Sequence, residues 1–180
     1  MHVPEPLAAA LRCPKQSILA IDPGKSGAVA RLSVKGSLML QRDFKCEEDI
    51  AEGLIQLYQP GDELVAENVH AMPGQGVCSM FSFGTAFGVA RGAAYVLEHA
   101  GRGAGGTIPK GVFLVSPQAW QNFFRRHCDI PKGTLFQSRD LAGAIWPHYA
   151  ETWFRRKKDH NSADAALMAA WRYLTLSGFE

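Results

Sequence analysis

Three acids and a histidine stand out in this 180-residue chain as side chains that could do chemistry together: Asp22, Glu67, Asp164 and His160. Asp22 closes the apolar run Ile18-Leu19-Ala20-Ile21 and is followed at once by Pro23-Gly24, while Glu67 closes a second run, Leu64-Val65-Ala66. An unpaired charge beside a hydrophobic strand is costly, so an acid in such a place is capped, paired or bound to a metal. The plainer reading of Asp22 by itself is an aspartate that starts a turn. Two apolar strands that each deliver a carboxylate at their C-terminal ends form a pattern, because the active crevice of an open α/β sheet lies outside those ends. Asp164 falls inside the apolar stretch ADAALMAA, and His160 precedes it by four residues, so the two share one face if the helix begins early enough. Asp159 competes with His160 for the neighbouring position and could instead cap the helix. An oxygen-rich donor set suits Mg²⁺ or Mn²⁺, and carboxylates holding two such ions are an arrangement that hydrolyses phosphodiesters.

The elements that must position these groups follow from periodicity and turn chemistry. Pro23-Gly24 and Ser26-Gly27 read as a tight turn, with Ala28 to Val34 returning as a strand. Ser37 to Phe44 makes a third strand, and Glu47 to Tyr58 an amphipathic helix that stops before Pro60-Gly61. Asp62 to Val69 is the strand that ends in Glu67. Residues 70 to 82 carry Met72, Met80 and Phe81 among glycines and read as a mobile loop. A long helix follows from Phe83 to His99, with Gly84, Gly88 and Gly92 on one face; each costs roughly 1 kcal/mol against Ala. The close approach of another backbone, from this chain or a second subunit, would repay that cost. Gly101 to Gly106 is a flexible connection, Gly111 to Val115 a further strand, and Ser116-Pro117 the start of a helix that reaches His127. Thr134 to Trp146 and Ala163 to Leu176 complete the helices.

Composition narrows the class. The chain is 47% hydrophobic and 20% charged, which fits one globular domain over residues 17–180, with residues 1–16 read as a poorly ordered tail. A net charge of +2 is too small to argue for nucleic acid, so any basic surface comes from clusters. Two exist: Arg125-Arg126-His127, and Arg155 to Lys158 directly before the last helix. Either could equally be a solvated face. Cys13, Cys46, Cys78 and Cys128 are scattered, without the spacing of a zinc site or a disulfide framework, and fit a reducing compartment. No apolar run approaches the roughly 18 residues of a membrane span.

The order of elements, with IDPGKSGA, VAENV and DHNSADAALMAA, resembles the RuvC-type Holliday junction resolvases of the RNase H-like superfamily across residues 17–176. The phrase KKDHNSADAALMAAW most resembles their phage and chloroplast relatives. The resemblance implies an α/β, RNase H-like fold: a mixed five-stranded sheet with helices on both faces. It implies a homodimer that nicks opposing strands of a four-way DNA junction, using Mg²⁺ or Mn²⁺, two ions per site, in a cytoplasmic or organellar setting. Asp22, Glu67 and Asp164 match the family's acids. Bacterial members place an acid or His three residues before the final Asp, where this chain has Asn161; the fourth ligand is therefore assigned to His160, with Asp159 in reserve. They also use a Lys near the start of the penultimate helix, a region occupied here by Gln137, with Lys132 or Arg139 as substitutes. By the same resemblance the glycine face is the dimer contact, the loop over residues 70–82 approaches the junction centre, and the basic clusters hold phosphates. Two other readings stay open: an RNase H-like nuclease for other branched or hybrid nucleic acids, and a catalytically inactive DNA-binding relative.

Overall fold

The computed structural model describes residues 2–24, 26–68, 76–100, 111–131 and 133–179. Five strands form one sheet in the order β3-β2-β1-β4-β5: β1 (Ile18–Asp22), β2 (Ala28–Leu32), β3 (Leu38–Gln41), β4 (Glu63–Glu67) and β5 (Phe113–Val115). The first three run antiparallel as successive hairpins, whereas β4 and β5 join β1 in parallel. The helices are α1 (Glu5–Arg12), α2 (Glu48–Leu57), α3 (Val77–Ala100), α4 (Pro117–His127), α5 (Ser138–Ile145), α6 (Ala150–Trp153) and α7 (His160–Leu176). Alternation along the strands divides the core in two. Ile18, Ala20, Ala30 and Val65 face the cluster containing α7 and α4; Leu19, Ile21, Leu64 and Ala66 face α2 and α3. This is the mixed five-stranded α/β sheet, covered on both faces, that the sequence predicts.

Helix α7 is the central packing element. Its Ala163, Ala165, Ala166, Ala169 and Ala170 are all buried, and such small side chains let a helix lie close to a sheet. Both ends are pinned. Asn161 Nδ2 donates to Ser26 Oγ at 3.0 Å in the β1–β2 turn, and Arg172 Nε donates to Glu63 Oε1 at 2.6 Å where β4 begins. The helix therefore runs antiparallel to β4, and its first turns lie over the C-terminal ends of β1 and β4.

The turn after Asp22 requires glycine at one position. A Cβ on Gly27 would stand 2.0 Å from the Asp22 carbonyl oxygen and 2.7 Å from that of Gly24, both backbone atoms that cannot swing aside. The amide of Gly27 meanwhile donates to Gly24 O at 2.8 Å, closing the turn.

Three expectations need correction. Where residues 1–16 were expected to be a poorly ordered tail, α1 forms from Glu5 to Arg12 and buries Leu7 and Leu11, one helical turn apart, in the cluster around α7. Helix α3 begins at Val77, not Phe83, so residues 77–82 are helical where a loop was expected; residues 69–75 and the glycine-rich 101–106 lie outside the described residues. Helix α5 begins at Ser138 rather than Thr134, because Arg125 ties down the preceding segment by donating to the carbonyls of Pro131 (3.2 Å) and Thr134 (2.8 Å). Ser116 does cap α4, accepting from the Ala119 amide at 3.3 Å, with Pro117 in the first turn.

Gly27→Ala is expected to destabilise the chain by about 2 kcal/mol or more, lowering the melting temperature by roughly 4–8 °C. A melting curve unchanged from wild type would show that the turn is not this tight.

Candidate active site

Parallel pairing sets the two strand acids side by side. Ile21 is in register with Ala66, so Asp22 and Glu67 follow as the next pair at the C-terminal ends of β1 and β4, on strands roughly 4.8 Å apart. Asp22 continues the series Ile18, Ala20 and Glu67 the series that contains Val65, which puts both on the face covered by α7. Asp164 enters from α7 itself, one turn into the helix. Three acids separated by 45 and 97 positions thus meet at one edge of the sheet.

Their electrostatics differ from those of every other buried acid in the described structure. Asp62 receives a two-pronged ion pair from Arg31 at 2.7 and 2.8 Å, and Glu63 pairs with Arg172. Asp22, Glu67 and Asp164 have no Lys or Arg nitrogen within 4.0 Å among the described residues. Burial pushes Asp22 well above the usual carboxylate range, and the neighbouring charges of Glu67 and Asp164 add to this, against a hydrogen bond from the Gly24 backbone. Burial likewise raises Glu67, opposed by the Trp120 indole, whose Nε1 donates to Glu67 Oε1 at 3.2 Å. Asp164 is pushed up to about 6 by burial and by Glu67, against a hydrogen bond from the Ser138 hydroxyl and the nearby His160.

The other two candidates separate clearly. Asp159 is 1% exposed and engaged with arginines: it accepts from Arg42 Nη1 at 3.0 Å, from Arg156 Nε at 2.8 Å and from the Arg156 amide at 2.7 Å. Burial alone would raise its pKa, yet these partners hold it below the usual value. Asp159 therefore ties the segment after β3 to the entrance of α7. His160 is exposed, one turn before Asp164 on the same helix, with Nδ1 3.2 Å from the Lys157 carbonyl. A carbonyl only accepts, so in the neutral ring Nδ1 carries the proton and Nε2 keeps its lone pair, the form in which imidazole ligates metals. Asn161, at the position three before Asp164, is used in the contact with Ser26.

Sequence reasoning missed Trp120, the side-chain donor to Glu67, and Ser138, near Asp164. Ser116-Pro117 had placed the start of α4, but nothing local says that its second turn reaches Glu67. Beside them, Phe136, Ser138, Arg139, Lys157, Lys158 and His160 line a cleft of about 430 Å³. Its positive wall is partly neutralised, since Lys158 Nζ pairs with Asp43 at 2.6 Å. Lys132 lies outside the described residues.

Among the described residues, no group of three His, Cys, Asp or Glu side chains stands at metal-ligating spacing. The donor chemistry nevertheless fits a hard divalent cation: carboxylate oxygens that add to one another's proton affinity and have no Lys or Arg partner among the described residues. Cation charge is what would offset the repulsion between the acids.

The raised carboxyls have a direct consequence for stability. With a folded pKa of about 6 against roughly 3.9 unfolded, the contribution of Asp164 is fully present below about pH 4 and lost as pH rises through 6. Without divalent ions, Asp164→Asn is expected to raise the melting temperature at pH 8 by a few degrees and to leave it little changed at pH 4.5. Equal melting of the two proteins at pH 8 would contradict this charge crowding.

No family model matches the chain, and no curated protein does. Among solved structures it is similar to T. thermophilus RuvC in complex with Holliday junction substrate, at 12% identity over 91% of this chain and 98% of that one, with a TM-score of 0.53. At that identity the likeness is one of fold, and by it the mixed sheet and its flanking helices have the RuvC-like, RNase H-like architecture.

Proposed function

We propose that this chain is a divalent-cation-dependent endonuclease that cuts four-way DNA junctions as a homodimer. One observation carries the reading: acids at the ends of two adjacent parallel strands and on the helix that covers them form a partly buried cluster with no Lys or Arg partner among the described residues. An acid cluster left uncompensated in this way destabilises the fold, which is expected where function needs it.

Asp22, Glu67 and Asp164 would hold the cations, with His160 Nε2 as the fourth donor. When bound, Mg²⁺ or Mn²⁺ supplies an activated water and charge stabilisation at the leaving oxygen. The chain's own residues do the rest. Arg139, Lys157 and Lys158 on the cleft wall attract the phosphate backbone, giving salt-dependent affinity without sequence information. The network of Arg42, Arg156 and Asp159 fixes the entrance of α7 and hence the backbone that carries His160. His160 four residues before Asp164, within KKDHNSADAALMAA, supports a place beside the phage and chloroplast members of the RuvC type. No helix among the described residues is long and apolar enough to cross a membrane.

The surface of α3 supports the homodimer. Its buried stripe is Ala86, Ala90 and Ala94; Gly84, Gly88 and Gly92 lie opposite, two residues or about 200° round the helix. No described atom lies within 4 Å of where their Cβ atoms would be, and Phe81 and Tyr95 on that side are 76% and 59% exposed. Of the two partners considered for these glycines, the described residues of the same chain supply none, which favours a second subunit.

With Mg²⁺, the protein is expected to cut a synthetic four-way junction by paired nicks on opposing strands. Asp22→Asn should retain junction binding and lose cleavage by more than the roughly 10- to 100-fold that loss of an outer hydrogen-bond partner costs at a metal site. Preference for RNA–DNA hybrids in the same panel would move the substrate, and wild-type rates in Asp22→Asn would remove the site. Gly88→Arg is expected to convert dimer to monomer in light scattering after gel filtration; a dimer that persists would place the contact elsewhere.

A further inference from the structure

Asp43 joins two cations at the rim of the cleft. It stands two residues past the end of β3. One carboxylate oxygen, Oδ1, pairs with Lys158 Nζ at 2.6 Å, while the other, Oδ2, accepts from Arg156 Nη2 at 2.9 Å. Lys158 lines the cleft together with Arg139, Lys157 and His160. Hydrogen bonds from Lys158 and Arg156 hold the Asp43 carboxyl down at about 2, so it is charged at any working pH. All three side chains are open to water: Lys158 is 60% exposed, Asp43 43% and Arg156 42%.

The fold does not need these contacts to hold the two segments together. Arg42, next to Asp43, already ties them by donating to Asp159 at 3.0 Å and to the carbonyls of Thr152 (2.7 Å) and Trp153 (3.2 Å). Exposed ion pairs add little stability besides. The backbone at Asp43 is nevertheless held at φ 62°, a left-handed conformation that few residues other than glycine, asparagine and aspartate adopt readily. What the position supplies is two anionic oxygens set between an arginine and a lysine, the arrangement in which those side chains take a phosphate. Arg156 is itself aimed by the buried Asp159, which accepts from its Nε at 2.8 Å, so its outer nitrogen keeps its direction if Asp43 leaves.

Resting on the nuclease reading above, we propose that Arg156 and Lys158 form a binding site for one backbone phosphate of the DNA, and that Asp43 occupies this site as an internal anion until a phosphate displaces it. The exchange trades one exposed, ion-paired anion for another, so it costs little and reverses readily. Asp43 thereby limits how tightly the cleft wall holds DNA of any shape or sequence.

The test is fluorescence anisotropy titration of the full chain in EDTA, with a labelled linear duplex and a labelled four-way junction, at roughly 50 and 200 mM salt. Wild type, Lys157→Gln and Lys158→Gln are each measured with and without Asp43→Asn, which keeps the side-chain shape and tolerates the backbone angle. Asp43→Asn is expected to tighten both DNAs roughly tenfold at the lower salt and to steepen the log–log salt dependence by about 0.9, the value for one added phosphate. That gain is expected to persist beside Lys157→Gln and to fall below about threefold beside Lys158→Gln. Equal affinity of wild type and Asp43→Asn overturns the proposal. So does a gain of the same size in both lysine backgrounds, which would be the general field of one removed charge. If Asp43→Asn does not fold, Asp43→Gly, at ease at φ 62°, decides by the same criteria. A different failure marks the underlying reading: wild type and Asp43→Asn that bind neither DNA even at the lower salt would show that the cleft takes no nucleic acid.

Discussion

Repulsion among three carboxylates at one edge of the sheet is the constraint on which the rest of this structure depends. Like charges repel more strongly in a partly buried setting than in water, and here burial, the larger effect, and that repulsion together raise the carboxyls of Asp22 and Asp164. A chain selected only for stability would neutralise such a cluster or disperse it. This one builds a framework that prevents dispersal. Parallel pairing of β1 and β4 fixes two of the acids, and an alanine-rich helix tied at both ends fixes the third.

The same chain shows how it treats acids that serve structure. Asp62, Glu63 and Asp159 are buried as deeply as the site acids or more so, and each has an arginine partner. Removing one partner from such a pair leaves an uncompensated buried charge, so these pairs specify where elements join. Arg31–Asp62 and Arg172–Glu63 secure the end of the sheet away from the site, and Arg42–Asp159 secures the entrance of α7. Charge compensation, more than burial or residue type, separates the two groups of acids. At Glu67 the neutral Trp120 indole donates a hydrogen bond that leaves the acid's charge uncancelled.

Helix α3 shows the complementary economy in apolar surface. It turns alanines inward and glycines outward, the reverse of what helix propensity on an exposed face would favour. Three exposed glycines weaken the isolated helix, and the aromatic groups beside them leave apolar area in water. The proposed homodimer would cover this face.

Much of this was readable from the amino-acid sequence because it is local. An apolar run that ends in an acid, a Pro-Gly turn, a Ser-Pro start and an alanine-rich helix with one aspartate each declare themselves within a dozen residues, so Asp22, Glu67 and Asp164 could be named together with their elements. Long-range pairing was not readable. Asp159 and His160 are neighbours in sequence, yet Asp159 is claimed by Arg42, 117 positions away, and His160 is left on the surface. Trp120 reaches Glu67 across 53 positions, and Leu7 and Leu11 turn an expected tail into a packed helix only because α7 offers them a surface. Periodicity and turn chemistry depend on a residue's immediate neighbours, whereas the choice between ligand and anchor depends on which distant group folding brings within hydrogen-bond reach. The sequence by itself determined most of the strands and helices and the acids they carry; tertiary structure decided which acids gain an arginine partner and which, among the described residues, are left without one.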